Sequence, residues 1–286
     1  MPLVGEIMKI RVVTLNVWNT EGDQRRPDLI NREMKRLAPD LVAFQEVVQS
    51  SDIDMLHRLL QGMDMHVSHQ ADVLNYVPAY ANRFGGTALA TRWPHRIVEA
   101  LDLRIAGADN VPWATLAAIV ALPQLGDMLF IAATAAWRLA DEAVREQKAL
   151  AITDLDARHR CDLPTVIAGD FNAVPDAASI RFLTGRQSLN GRSVLYHDAW
   201  SVAGKGHGHT WTVDNPHASI GAEQIVRQPN HRSRFDYVFV GSWDAHPKAH
   251  AKVQDARLAF DRPIDDVWLS DHFGLLVDLE VGISPS

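Results

Sequence analysis

Val166-Ile167-Ala168-Gly169-Asp170-Phe171-Asn172 reads as a buried apolar strand that delivers a carboxylate and a carboxamide, two residues apart, at its carboxyl end. Residues i and i+2 of an extended chain project to the same side, so Asp170 and Asn172 can together hold a hard cation, a water or a phosphate oxygen. The same residue types also make ordinary Asx turns after strands, and on this stretch alone both readings stand.

Outward from it, residues 141–157 read as a helix, with Val144, Ala151 and Leu155 on one side and Arg145, Glu146 and Lys148 on a solvated face. Residues 114–121 and 128–134 read as a hairpin around a turn at 123–127. Downstream, Asp176 is placed to cap a short helix that Gly185 ends, and residues 186–232 form a long irregular region.

Toward the N-terminus, residues 9–17 predict a strand ending near Asn16, and Pro27 opens a helix carrying Ile30, Met34 and Leu37 until Pro39. Residues 41–44 form a buried strand closing on Gln45-Glu46, and a helix follows over about 53–60. A loop-like stretch then runs to Arg83, and a strand over 87–91 is opened by Gly85-Gly86. Strands at 235–240 and 275–281 and a short free tail at 284–286 complete the chain. Strands and helices mix without sustained βαβ alternation, which argues for α/β of the α+β kind.

With 286 residues, 47% of them hydrophobic and 22% charged, the chain has material for a large core. No linker interrupts it, so a single domain over 1–286 with its core at about 9–281 is expected. The net charge of −7 runs against the basic face that long nucleic acids require, so nucleic acid is a disfavoured partner. Cys161 stands alone, without a disulfide partner or a zinc-site companion, which suits a reducing compartment. No apolar run approaches the roughly 20 residues of a membrane span and no signal-peptide pattern precedes the first strand, so a cytoplasmic location without a transmembrane segment is expected. Oligomeric state is not set by these features.

Three further acids stand at strand ends. In Leu269-Ser270-Asp271-His272-Phe273-Gly274 an acid and an imidazole lie side by side, a pair able to move a proton near neutral pH or simply to form a surface turn. Glu46 follows Leu41-Val42-Ala43-Phe44-Gln45. Asp236 sits within Arg234-Phe235-Asp236-Tyr237-Val238, where burial is costly without a partner, although alternation can also turn it to solvent.

Read in order, Thr14-Leu15-Asn16, Gln45-Glu46, Gly169-Asp170-Phe171-Asn172, Phe235-Asp236-Tyr237 and Ser270-Asp271-His272 resemble the endonuclease/exonuclease/phosphatase superfamily over residues 10–281. That resemblance implies a four-layer sandwich, two mixed β-sheets packed face to face with helices on the outer faces and the motif residues at one edge. It implies a divalent-metal-dependent hydrolase of phosphoesters using Mg²⁺ or Mn²⁺, and oxygen donors do suit a hard cation. Glu46 then resembles the principal metal ligand, with Asn16 beside it and Asp271 or the Asp170/Asn172 pair contributing. Asp170 would orient or deprotonate the attacking water, His272 would be an alternative base and phosphate contact, and Asp236 would orient that histidine or protonate the leaving group. Asn172 would donate to phosphoryl oxygens.

One departure bears on activity. Where many members carry a Thr-His-Leu element, this chain reads Thr134-Ala135-Ala136, so the histidine that donates to the scissile phosphate is missing. Loss of one such donor costs about 2.7–4 kcal/mol, roughly 10²–10³ in rate. A substitution made to trap a ligand, another donor in its place, or a scaffold with weak turnover all remain open. Trp137 and Arg138 are candidates to approach the phosphate, and His209 and Trp211, in His207-Gly208-His209-Thr210-Trp211, are candidate substrate contacts. The substrate expected is a small-molecule or lipid-like phosphoester, with a DNA or RNA nuclease as rival and a binding or accessory protein as the alternative of another class.

Overall fold

The computed structural model describes residues 6–74, 85–102 and 113–284. The tail residues Pro285 and Ser286, and the last part of the loop expected before Arg83, from residue 75 on, lie outside them. The described strands are β1 (Ile7–Asn16), β2 (Leu41–Val47), β3 (His66–His69), β4 (Gly86–Thr91), β5 (His95–Leu101), β6 (Thr115–Leu122), β7 (Gly126–Thr134) and β8 (Val166–Asp170). They continue as β9 (Tyr196–Asp198), β10 (Trp211–Thr212), β11 (Arg232–Ser233), β12 (Asp236–Gly241), β13 (Ala249–Ala259) and β14 (Gly274–Ile283). The helices are α1 (Arg26–Leu37), α2 (Met55–Leu60), α3 (Gln70–Val73), α4 (Glu142–His159), α5 (Ala178–Leu183), α6 (Ala199–Ala203) and α7 (Pro216–Gly221), the last running into a π-helical turn, Ala222–Val226.

Two six-stranded sheets form, ordered β13-β14-β1-β2-β4-β3 and β5-β6-β7-β8-β12-β9, with β10-β11 as a separate ribbon. Each sheet contains one parallel pair, β1/β2 and β7/β8, amid antiparallel neighbours. Parallel neighbours need a crossover, and α1 and α4 supply it.

Strand alternation sorts the side chains into layers. Val12, Ala43, Phe130, Val166, Ala168 and Val238 face between the sheets in one apolar cluster. Val13, Val42 and Phe44 face outward under α1 and α2. Ile131, Ile167, Tyr237 and Phe239 face outward on the other side, under α4 and α5. The result is the expected four-layer sandwich of two mixed sheets with outer helices.

Register then places the site. The carboxyl ends of β1 and β2, with Asn16 opposite Gln45, lie at the same edge as those of β7 and β8, with Thr134 opposite Asp170. Asp236, at the start of β12, pairs with Asp170, and β14 enters beside Thr14. Gly169 lets β8 approach β7, since a Cβ there would stand 1.9 Å from the Ala133 carbonyl oxygen.

Several local expectations are corrected. Asp176 does not cap α5, whose N-cap is Ala177 without a side-chain bond; Glu142 of α4 instead accepts from the Ser179 amide at 2.8 Å. The stretch before residue 75 contains β3 and α3 rather than loop alone, and residues 186–232 carry short elements from β9 to β11. Arg145 and Lys148 are not on a solvated face: both are buried, and burial drives the Lys148 ammonium well below its ordinary pKa.

Candidate active site

At the shared edge, Asn16 ties the two sheets together. Its side-chain amide donates to Glu46 Oε1 and to Asp170 Oδ2, each at 3.1 Å, and its own oxygen accepts from the Trp18 amide at 2.9 Å. Asn19 donates to Glu46 Oε2 at 3.0 Å. Glu46, near the end of β2, and Asn172, just past β8, adopt left-handed backbone conformations, φ 60° and 49°. Non-glycine residues held there store about 1–3 kcal/mol each, a cost typical of positions whose side chains are re-aimed.

Asp170 Oδ1 accepts from the Asn172 amide at 2.9 Å, and the Asn172 carboxamide donates to the Ala135 carbonyl at 3.3 Å. Burial pushes the Asp170 carboxyl up to about 7; His272 opposes that rise and Asp236 adds to it. Glu46 is likewise pushed up to about 7, by burial and by repulsion from Asp271, against the two asparagine donors.

His272 Nδ1 lies 2.9 Å from Asp236 Oδ2. With the carboxylate as acceptor, the proton sits on Nδ1 and leaves Nε2 for the cleft. Burial alone would lower this imidazole, but the carboxylates of Asp236, Asp170 and Asp271 outweigh it and hold it well above its ordinary value. Asp170, Asp236 and His272 bring ligand atoms within 4.8 Å of one another. His272 Nδ1 is already bound to Asp236, whereas Glu46 and Asp271 line the cleft outside that group.

Ser270 holds the histidine loop against β1, its hydroxyl donating to the Asn16 carbonyl at 2.6 Å and accepting from the His272 amide at 3.1 Å. Arg26 fixes the opposite loop. Its buried guanidinium donates to five carbonyls, those of Val17, Trp18, Asn19, Glu21 and Leu269, over 2.7–3.0 Å. Desolvation lowers it to about 10, so it stays charged at neutral pH. Arg145 clamps a third loop through the carbonyls of Ala136, Arg138 and Leu139.

A cleft of about 390 Å³ is lined by Asn16, Asn19, Glu46, Asp170, Asn172, Asp271 and His272, together with Trp137 and Trp211. Asp236 lies directly behind His272. Arg138 and His209 do not line it: Arg138 lies over the Trp137 ring at 6.0 Å and His209 stacks on His207 at 5.1 Å. At the end of β7, Thr134 is buried with its hydroxyl 2.7 Å from that of Thr87, and Ala135 offers no side-chain donor. Sequence reasoning missed Asn19, Arg26, Ser270, Trp18, Trp113, Leu139, Ile225 and Phe235. Of these, the Asn-x-Trp-Asn run 16–19, continuous with Asn16, was the available signal.

Paired mixed sheets with carboxylates, carboxamides and an Asp-supported imidazole gathered at one strand edge define a phosphoesterase-type sandwich. The chain belongs to the Endonuclease/Exonuclease/phosphatase family, whose model matches residues 13–272. Members of that family are phosphoesterases and typically depend on a divalent metal. Among solved structures, the endonuclease/exonuclease/phosphatase from Bacteroides vulgatus superposes with a TM-score of 0.69 at 19% identity, covering 96% of this chain and 99% of its own. D. rerio TDP2 complexed with single strand DNA product gives 0.67 at 16% identity, covering 95% and 98%. The endonuclease/exonuclease/phosphatase from Beutenbergia cavernae DSM 12333 gives 0.64 at 18%, covering 96% and 72%. No curated protein matches the chain. At these identities the likeness establishes the fold.

Proposed function

We propose that this chain hydrolyses a small-molecule or lipid-like phosphoester with the help of Mg²⁺ or Mn²⁺. The observation that carries the reading is the convergence of Glu46, Asp271 and Asp170 on one cleft that no lysine or arginine lines among the described residues. Burial first, and then repulsion from Asp271, raise Glu46, and Asp236 keeps a buried oxygen without a partner. An all-oxygen donor set of this kind fits a hard divalent cation. Glu46 and Asp271 would hold it, while Asn16, whose oxygen is taken by the Trp18 amide, orients Glu46 through its N–H rather than serving as a ligand. The cation would supply charge neutralisation at the phosphoryl oxygens.

The chain's own groups divide the remaining work. Asp170, poised near neutrality by burial, accepts a proton from the attacking water. Asn172 has one amide hydrogen on Ala135 and one left to donate to a phosphoryl oxygen. His272, oriented by Asp236, presents Nε2 to the phosphate or to the departing oxygen, which takes up a proton as its bond to phosphorus breaks. Without a histidine at Thr134-Ala135, turnover is expected below that of a fully equipped site by about 10²–10³.

The DNA product in the D. rerio TDP2 structure makes a nuclease the rival reading, against which the net charge of −7 counts. The absent donor favours, as a second reading, a binding protein of weak turnover. Release of p-nitrophenolate from bis(p-nitrophenyl) phosphate with Mg²⁺ or Mn²⁺, abolished by chelator, is the test. Metal binding without any release would favour the scaffold.

A further inference from the structure

The cleft has two poles. Strand ends supply a polar floor, while Trp113, Trp137, Leu139, Trp211, Ile225 and Phe235 supply a wall without a hydrogen-bonding acid or base among them. Trp211 stacks on Phe235 at 5.8 Å, and both are buried, as is Trp113, so the inner wall is preformed. Trp137, Leu139 and Ile225 form an outer lip and remain 43%, 46% and 46% exposed.

This lip is held in place. Arg145 bonds the carbonyls on either side of Trp137 and that of Leu139, and the turn carrying Ile225 packs Ala222 into a cluster with Trp211 and Phe235. Apolar side chains fixed in water around a cavity mouth gain free energy only when an apolar group covers them. A polyanion would need cations along its path, and none lines the cleft among the described residues.

Resting on the hydrolase reading above, we infer that the substrate is a phosphoester whose alcohol carries a bulky apolar group, aryl or acyl-chain, seated on this wall. Its phosphorus reaches the polar floor. A water oxygen bonds to phosphorus, the bond from phosphorus to one alcohol oxygen breaks, and that oxygen leaves with the electron pair and takes a proton. Nothing is oxidised or reduced.

The test is binding of methylphosphonate, hexylphosphonate and phenylphosphonate to the Mg²⁺-loaded protein, read by tryptophan fluorescence and by inhibition of bis(p-nitrophenyl) phosphate turnover. Hexylphosphonate or phenylphosphonate is expected to bind about tenfold or more tightly than methylphosphonate, equivalent to burying about two of the five added methylenes. In Trp137→Ala and Ile225→Asn that ratio is expected to fall below about threefold. Whichever of the two probes binds better distinguishes a chain from an aryl group. Equal binding of all three, with turnover intact, overturns the seat and leaves the hydrolase reading standing. A preserved preference with no turnover keeps the seat and removes the hydrolase. A single-stranded oligonucleotide that binds more tightly than hexylphosphonate, with steep salt dependence, overturns the inference in favour of nucleic acid.

Discussion

Glu46 shows most clearly what the site asks of a single residue. It occupies a left-handed backbone conformation, accepts from two asparagines, and still has a carboxyl pushed up to about 7 by burial and by Asp271. Its pKa is higher folded than unfolded, so the folded state binds its proton more tightly. The stability this contributes is complete below about pH 4.5 and is lost as pH rises through about 7. Chelator-treated protein should therefore gain thermal stability in Glu46→Gln at about pH 8 but little at about pH 4.5, while Mn²⁺ should raise the melting temperature of the wild type and not of the variant. Equal metal stabilisation of both proteins would remove Glu46 from the metal site. In the sequence this residue was legible as an acid closing an apolar run. Its left-handed turn and its second asparagine were not, because the first falls at the register shift of β2 against β4 and the second depends on where Asn19 folds back.

At the scale of elements, the site rests on strand ends held in register and on loops held by buried arginines. Gly169 pairs with Ala133 so closely that a methyl group would meet its carbonyl oxygen at 1.9 Å. Gly169→Ala should cost about 3 kcal/mol in denaturant unfolding by forcing β7 and β8 apart, and a loss under about 0.5 kcal/mol would contradict that account. Arg26 joins the Val17–Glu21 segment to Leu269 through five carbonyls. Its replacement by Met leaves those acceptors unpaired in a buried place and should lower stability by about 3–5 kcal/mol and weaken Mg²⁺ binding, measured by unfolding and calorimetry. Unchanged metal affinity in a folded Arg26→Met would show that the clamp serves the fold alone. Arg26 was hidden in the sequence because Arg-Arg-Pro at a helix start reads as a solvated terminus. Arg145 was hidden because charge at helical spacing reads the same way. β13 escaped notice for a related reason: it exposes Lys252, Gln254 and Arg257, its register shifts between Val253 and Asp255, and it has few β-branched residues, as suits an edge strand.

For the whole molecule, the order of the five short motifs carried more than any one of them, because two parallel strand pairs in separate sheets direct their carboxyl ends to one edge. The sandwich and the polar floor of the cleft could be read that way. The apolar wall could not, since Trp113, Leu139, Ile225 and Phe235 come from four separate segments that only tertiary packing unites. Metal-dependent phosphoester hydrolysis centred on Asp170 is tested most directly by pairing turnover with metal binding. Chelator-stripped wild type and Asp170→Asn would be titrated with Mn²⁺ in a calorimeter and assayed on bis(p-nitrophenyl) phosphate. The folded variant is expected to lose at least about 10²-fold in turnover, while wild-type turnover returns with metal occupancy. Turnover unchanged in Asp170→Asn, or metal bound by the wild type with no turnover at all, would contradict it.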